Sequence, residues 1–179
     1  MQEMKTIPEV QKKAVLTILG KRKTKGQTTS TSYIIKFTSD YYPYLTEMEN
    51  LVMNMAEECR IRMAEHTLLK TKNHQYLYAT KRMDKTGDRK IPMEDFCQFS
   101  QRLTEDKYRG SYESLGEIID RYSDKPMVDK TELLYRLLFC FITGNNDMHL
   151  KNFSLISLDD KGYQLSDTYD LLNVTVLNS

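Results

Sequence analysis

The sequence predicts an α+β fold in two closely joined lobes: a small β-rich lobe with one helix, then a helical lobe. Three observations predict it. The first stretch, to about residue 82, reads strand, strand, helix, strand, strand. A charged segment holding Gly87 and Pro92 then changes the texture of the chain. Beyond it, long apolar patterns of helical period take over. The 179 residues suffice for one sizeable domain or two small lobes with a real core. No stretch reads as a flexible linker, so the boundary expected between 1–82 and 83–179 is a close junction.

Each element has its own warrant. KAVLTIL, 13–19, is β-branched and apolar and reads as a strand, as does SYIIKF, 32–37. GKRKTKGQTTST between them is polar, so the two strands form a hairpin with a basic tip of Lys21, Arg22, Lys23 and Lys25. A solvated loop is the ordinary fate of such a run; phosphate contact is the alternative. Residues 44–63 place Leu45, Met48, Val52, Met55, Ala56 and Cys59 at helical spacing. HTLLKT and HQYLYATKRM give two strands joined at Lys72-Asn73. Residues 83–92 read as a connector and 93–103 as a helix with Phe96, Cys97, Phe99 and Leu103 inward. KYRGSYES, 107–114, reads as a loop, followed by a helix over LGEIIDRYS. KTELLYRLLFCFIT, 130–143, is apolar almost all round, which predicts a central helix ended by Gly144. FSLISL, the turn DDKG and YQLSDTYDLL predict a closing hairpin.

Bulk properties exclude several function classes. A net charge of +1 supplies no global field for nucleic acid or a membrane surface. No apolar run approaches the roughly 20 residues that span a bilayer, and the N-terminus lacks a secretory h-region. Cys59, Cys97 and Cys140 have no CxxC spacing and read as buried, reduced thiols of a cytoplasmic protein. His66, His74 and His149 form no metal-ligand spacing.

One run is costly to explain by packing. GNNDMHLKN, 144–152, crowds polar side chains between a buried helix and a strand. Asn and Asp favour turns, and that reading suffices for most such loops. Here Asp147 and Asn152 are spaced D-x-x-x-x-N, and Asp170 follows just past the next hairpin. Phosphoryl transfer by protein kinases uses that arrangement: a carboxylate to accept the proton of the substrate hydroxyl, and an amide oxygen and a second carboxylate to hold Mg²⁺. Lys151 adjoins the metal Asn and either neutralises the transferring group or faces solvent. His149 fits a structural role, orienting the loop, better than proton transfer. Upstream, Lys36 sits in an apolar strand, where a charge needs a partner or a ligand. Glu49 lies on the following helix, on the side of Leu45, Val52 and Ala56. Strand lysine and helix carboxylate in that order are a kinase's phosphate-binding pair.

These segments resemble the HipA-type serine/threonine kinases of bacterial toxin–antitoxin systems. GNNDMHLKNFSLI resembles the G-N-x-D-x-H-x-K-N-F-S signature, YQLSDTYDLL the L-x-P-x-Y-D-L/I segment, and MEDFCQ the E-D-F-C-Q helix. EVQKKAVL resembles the S-x-x-G-x-Q-x-K-x-x-L start and MENLVMNMA the N-E-x-x-x-M-x-L-A helix. The likeness spans nearly the whole chain and is most specific in the catalytic stretch. It implies a protein-kinase-like two-lobed fold with a small ATP-binding lobe, 1–82, and an incomplete helical lobe, 83–179. It implies Asp147 as base, Asn152 and Asp170 as Mg²⁺ ligands, and Lys36 on the ATP phosphates. It places an adenine-binding hinge at 81–84, with backbone groups of Lys81 and Met83 on the base and Asp84 near the ribose. It implies a protein acceptor, in some members an aminoacyl-tRNA synthetase, and a DNA-binding helix-turn-helix antitoxin as partner. Thr6 stands where the family has a phosphorylatable Ser, Glu9 replaces a Gly, and the chain reads as C-terminally truncated. A non-catalytic module that binds nucleotide or an antitoxin, and a small-molecule kinase, remain the alternative readings of the sequence.

Overall fold

The computed structural model describes residues 11–19, 30–158 and 162–177. Thr6, Glu9 and the basic tip at 21–25 lie outside the described residues, as does most of the DDKG turn.

β1 (Lys13–Leu19) and β2 (Ser30–Lys36) pair antiparallel, with Lys13 opposite Lys36. β4 (Tyr76–Lys81) lies on the other side of β2, and β3 (His66–Lys70) closes a sheet of order β1-β2-β4-β3. α1 (Leu45–Glu58) packs on β3 and β4 and buries Leu45, Thr46, Glu49, Val52, Met53 and Ala56. These strands and this helix stand where the residue patterns predict them. Two residues of the predicted stripe do not join the core. Met55 is largely exposed, and Cys59 is exposed because α1 ends at Glu58 and the cap residue leaves the stripe. β1 is exposed along its whole length, since it is an edge strand beyond α1.

The charged connector is more ordered than its composition suggests. β5 (Lys85–Thr86) and β6 (Arg89–Lys90) form a ribbon that turns at Gly87, whose φ of 60° is left-handed. The predicted helix over 93–103 is a strand, β7 (Met93–Asp95), followed by a single turn, α2 (Phe96–Phe99). The reason is local. Asp95 and Gln98 form a reciprocal capping box, so the helix starts only at Phe96, and Met93–Asp95 pairs instead with β8.

α3 (Tyr112–Tyr122) starts inside the predicted loop because Ser111 caps it through the Ser114 N–H. α4 (Pro126–Ile142) begins with Pro in its first turn and ends as predicted at Gly144, φ 67°. The Asn145 N–H closes back on the Cys140 carbonyl at 2.9 Å, the long bond of a Schellman cap. The expectation of a central helix is not met. Leu133, Arg136, Phe139 and Cys140 face inward, while Leu134, Tyr135, Leu138, Phe141 and Ile142 are exposed. Among the described residues no element covers that outer face. β8 (Ser154–Ile156) and β9 (Gln164–Leu165) complete the sheet β7-β8-β9, and α5 (Val174–Leu177) ends the description.

Two cores result. One gathers Phe96, Ile119, Leu133, Phe153, Leu155 and Leu165 beneath the β7-β8-β9 sheet. The other joins Val52, Met53, Ala56 and Tyr78 to Phe139, Cys140 and Leu171. Because the second core mixes α1 and β4 with α4, it fixes the first sheet against the helices and leaves a cleft between them. Met148 packs against both cores. Among the described residues no helix is long and apolar enough to cross a membrane.

Candidate active site

Lys36 ends β2 with 4% of its surface exposed. Its Nζ donates to Glu49 Oε1 at 2.5 Å and to Asp170 Oδ1 at 2.5 Å. Glu49 is fully buried on α1, whereas Asp170 keeps about a third of its side chain exposed, at 35%. Burial pushes the Lys36 ammonium down, but the two carboxylates outweigh it and hold it above its ordinary range. Burial pushes Glu49 up to about 7 against the pull of Lys36, and its Oε2 is buried without a hydrogen-bond partner. Burial also acts upward on Asp170, yet Lys36 and Lys13 together keep it below the usual carboxylate range.

The segment carrying Asp170 is held from several sides. Asp129 Oδ2 accepts the Leu165 N–H at 2.8 Å and the Ser123 hydroxyl at 2.6 Å. Arg136, 1% exposed, donates to the Ser166 carbonyl at 2.8 Å. Thr168 exchanges backbone hydrogen bonds with Arg62 and Ala64. Clamped in this way, Asp170 adopts a left-handed φ of 56°. Asp tolerates that region better than most residues, and such outliers persist where surrounding contacts over-determine them.

Asp147, His149 and Asn152 come from the loop after α4. A 3₁₀ turn at Leu150–Asn152 is tied by the His149 N–H to Asn152 Oδ1 at 3.0 Å and by the Asn152 N–H to the His149 carbonyl at 2.9 Å. The loop is therefore oriented through the backbone of His149, not its ring, whose Nδ1 is buried without a partner. Burial and then Lys107 lower the His149 pKa, opposed by Asp147. Asp147, His149, Asn152, Asp170 and Lys36 line one cavity. The residues that the sequence set far apart thus share one space.

A second cavity adjoins the first at Asp170. Ile34, Ala64, Met83 and Met93 give it apolar walls, and Lys81, Asp84, Asp95 and Lys151 line it too. An apolar slot joined to a cationic one has the character a nucleotide requires, a base beside its phosphates. The three hinge residues named by the resemblance all face it. Lys81 spends its backbone N–H on the Glu65 carbonyl and its ammonium on Glu65 Oε2, both at 2.8 Å. The Asp84 carboxylate is held by Arg82 at 2.9 and 2.5 Å, which lowers its pKa. Lys151 lines this second cavity rather than the one holding Asp147, and its Nζ reaches Thr104 Oγ1 at 3.4 Å.

Sequence reasoning assigned no role to two further cations of the first cavity, Lys13 and Lys107. The strand register puts Lys13 across from Lys36, a signal available only once the hairpin's loop length is known. Lys107 stands in a stretch read as loop and carries no local signal. With Lys36 these amines place three positive side chains around the cavity. Asn152 and Asp170 offer it an amide oxygen and a carboxylate that stays ionised, a donor set that fits a hard divalent cation. Among the described residues no cluster of three or more His, Cys, Asp or Glu could hold a metal by itself.

Comparison with known proteins bears on the family and the fold. The sequence model of the HipA-like C-terminal domain matches residues 7–179. The chain is 32% identical over 157 residues to a Sinorhizobium fredii protein named Putative kinase Y4dM, covering 81% of this chain and 38% of the relative. A Haemophilus influenzae protein named Putative kinase is 27% identical over 157 residues, covering 80% of this chain and 46% of the relative. The chain spans less than half the length of these curated relatives. Among solved structures it resembles Shewanella oneidensis HipA, crystallised with HipB and operator DNA, with a TM-score of 0.69 at 21% identity, over 95% of this chain and 44% of that one. It resembles the Helicobacter pylori proinflammatory kinase CtkA with a TM-score of 0.63 at 17% identity, over 85% and 56% of the two chains. The fold is that of a two-lobed kinase.

Proposed function

The chain belongs to the HipA-like C-terminal domain family, and from that premise we propose that it transfers the γ-phosphoryl group of ATP to a Ser or Thr hydroxyl of a protein. The observation that carries this reading is the convergence of Lys36, Asp147, Asn152 and Asp170 on one cavity.

In this reading Lys36 binds the α- and β-phosphates and Glu49 holds it in place from α1. Lys13 and Lys107 add positive charge around the triphosphate. The apolar slot beyond Asp170 takes the adenine, and Asp84 and Arg82 stand at its ribose side. Asn152 and Asp170 hold Mg²⁺, which supplies charge neutralisation and alignment of the phosphates. Asp147 accepts the proton of the acceptor hydroxyl as its oxygen bonds to phosphorus and the bond from phosphorus to the β-phosphate oxygen breaks. Most of the rate comes from positioning and fixed charge rather than covalent chemistry.

Family membership extends the reading to partners. Shewanella HipA is bound to HipB and DNA in its crystals. By that likeness the partner of this chain is a DNA-binding antitoxin; the acceptor follows instead from the family resemblance, as a cytoplasmic protein with an aminoacyl-tRNA synthetase as the first candidate.

Incubation with labelled Mg-ATP and a candidate acceptor, followed by phosphoamino-acid analysis, tests the proposal. Phosphoserine or phosphothreonine whose formation falls steeply with Asp147→Asn supports it. Nucleotide binding without transfer in any protein would make the chain a binding module instead, and label confined to a small molecule would make it a kinase of another class.

A further inference from the structure

Asp147 has a partner that lies outside the Asp–Asn–Asp pattern. The Tyr108 hydroxyl donates to Asp147 Oδ1 at 2.6 Å. Tyr108 comes from the loop between the turn at Thr104–Asp106 and α3, and that loop is fastened to the Asp147 loop at further points. The Leu150 N–H donates to the Lys107 carbonyl at 3.1 Å. The Tyr108 ring stands edge-on to the His149 ring, with centroids 5.1 Å apart and planes at 75°. Lys107 Nζ lies 5.1 Å from the centroid of the Tyr108 ring. Gly110 sits so close to Leu150 that a Cβ there would come within 3.1 Å of its Cδ2.

The direction of approach matters. Lys107 and Asp147 line the cavity that holds Lys36. Tyr108 is not among the residues lining that cavity; it lines a small neighbouring pocket that shares Lys107 and His149 with it. Its hydroxyl reaches Asp147 from that neighbouring side. A carboxylate has acceptor capacity for several donors, so the bond to Tyr108 leaves Asp147 able to take an acceptor's proton. A fixed donor on one oxygen removes the rotation that an exposed Asp otherwise has, and a base must be held in its working geometry.

We propose that Tyr108 is a positioning residue for the catalytic base: with its ring packed edge-on to His149, its hydroxyl orients the Asp147 carboxylate toward the acceptor hydroxyl. The inference rests on the phosphoryl-transfer reading and deepens it. Asp147 also faces Lys107 from the same loop as Tyr108, His149 from its own, and Lys13, Lys36 and Asp170 across the cavity; the hydrogen bond described for its carboxylate comes from Tyr108.

Steady-state kinetics of the wild type, Tyr108→Phe, Asp147→Asn and the double variant test it. Tyr108→Phe keeps the ring on His149, so its melting midpoint is expected to match the wild type. Its kcat is expected to fall roughly 10- to 100-fold with KM for Mg-ATP unchanged. In the slow Asp147→Asn background the same substitution is expected to change nothing further, because Tyr108 acts through Asp147. A wild-type kcat in Tyr108→Phe overturns the inference. So does an equal loss in both backgrounds, or a loss that comes with a lowered melting midpoint, since either marks a purely structural role. Transfer by the wild type, a small residual rate in Asp147→Asn and full rate in Tyr108→Phe overturns this inference alone. No transfer by the wild type overturns it together with the reading on which it rests.

Discussion

The Lys36 ammonium and the Asp170 carboxylate lie 2.5 Å apart although 134 positions separate them in the chain. The contact spans the cleft, since Lys36 belongs to the first sheet and Asp170 to the segment pinned by α4. Glu49 holds the same ammonium from behind. One cation thus fixes the sheet, α1 and the Asp170 segment at the point where the nucleotide phosphates are proposed to lie.

Lys36→Met removes that cation and leaves Glu49 buried. Breaking a buried pair from one side costs about 3–5 kcal/mol, and the lower end is expected because Glu49 can take up a proton. Lys36→Met combined with Glu49→Leu is expected to recover most of the loss, since no buried charge is then left unpaired. Urea unfolding of the two variants checks this.

Glu49 makes stability depend on pH. Its ordinary value is 4.5 and its value in the fold is about 7. Between these the folded protein binds more protons than the unfolded chain, so the Glu49 contribution falls as pH rises. It is fully present below 4.5 and lost above about 7. His149, lowered in the fold, acts in the opposite sense toward its ordinary value of 6.5, so the comparison must be with a variant. Glu49→Gln is expected to lose less stability than the wild type between roughly pH 5 and pH 8, read as the change in urea midpoint.

Asp129 lines neither cavity, yet it holds the strand that leads to Asp170. Asp129→Ala strands the Leu165 N–H and the Ser123 hydroxyl. A loss of about 2–3 kcal/mol is expected from the two orphaned donors, the Leu165 N–H buried and the Ser123 hydroxyl half-buried. Phosphoryl transfer is expected to fall as well, because the clamp on the Asp170 segment loosens. Unfolding and activity measured on the same variant check both effects.

Gly144 couples the end of α4 to α5. At φ 67° an added Cβ would stand 2.8 Å from Thr175 Oγ1, the hydroxyl that donates to the Gly144 carbonyl at 3.1 Å. Gly144→Ala is expected to cost about 1–2 kcal/mol through left-handed strain and displacement of Thr175. Thermal unfolding reads this directly.

Where structure follows local pattern, it was legible. The strands at 13–19 and 66–81, α1, and the Gly144 stop all rest on periodicity or cap chemistry within a few residues. Lys36 and Glu49 were legible because a charge inside an apolar stripe demands a partner. The elements misread are those decided by distant contacts or by a side-chain cap. Met93–Asp95 is a strand because β8 pairs with it and the Asp95–Gln98 box delays the helix. The all-round apolar sequence of α4 predicts a central helix, yet only one face, carrying Leu133, Arg136, Phe139 and Cys140, meets the cores. Lys13, Lys107 and Tyr108 were invisible as site residues because their places depend on strand register and on a loop folding back over Leu150.

The central claim is that Lys36, Asp147, Asn152 and Asp170 form one Mg-ATP site with Asp147 as its base. Phosphate transfer from Mg-ATP, measured beside Mg-ATP binding for the wild type, Asp147→Asn and Asp170→Asn, tests it most directly. The account predicts full transfer by the wild type only, a small residual rate with undiminished binding in Asp147→Asn, and loss of magnesium-dependent binding in Asp170→Asn. Transfer at the wild-type rate in Asp147→Asn, or binding by Asp170→Asn that still responds to magnesium as the wild type does, would contradict it.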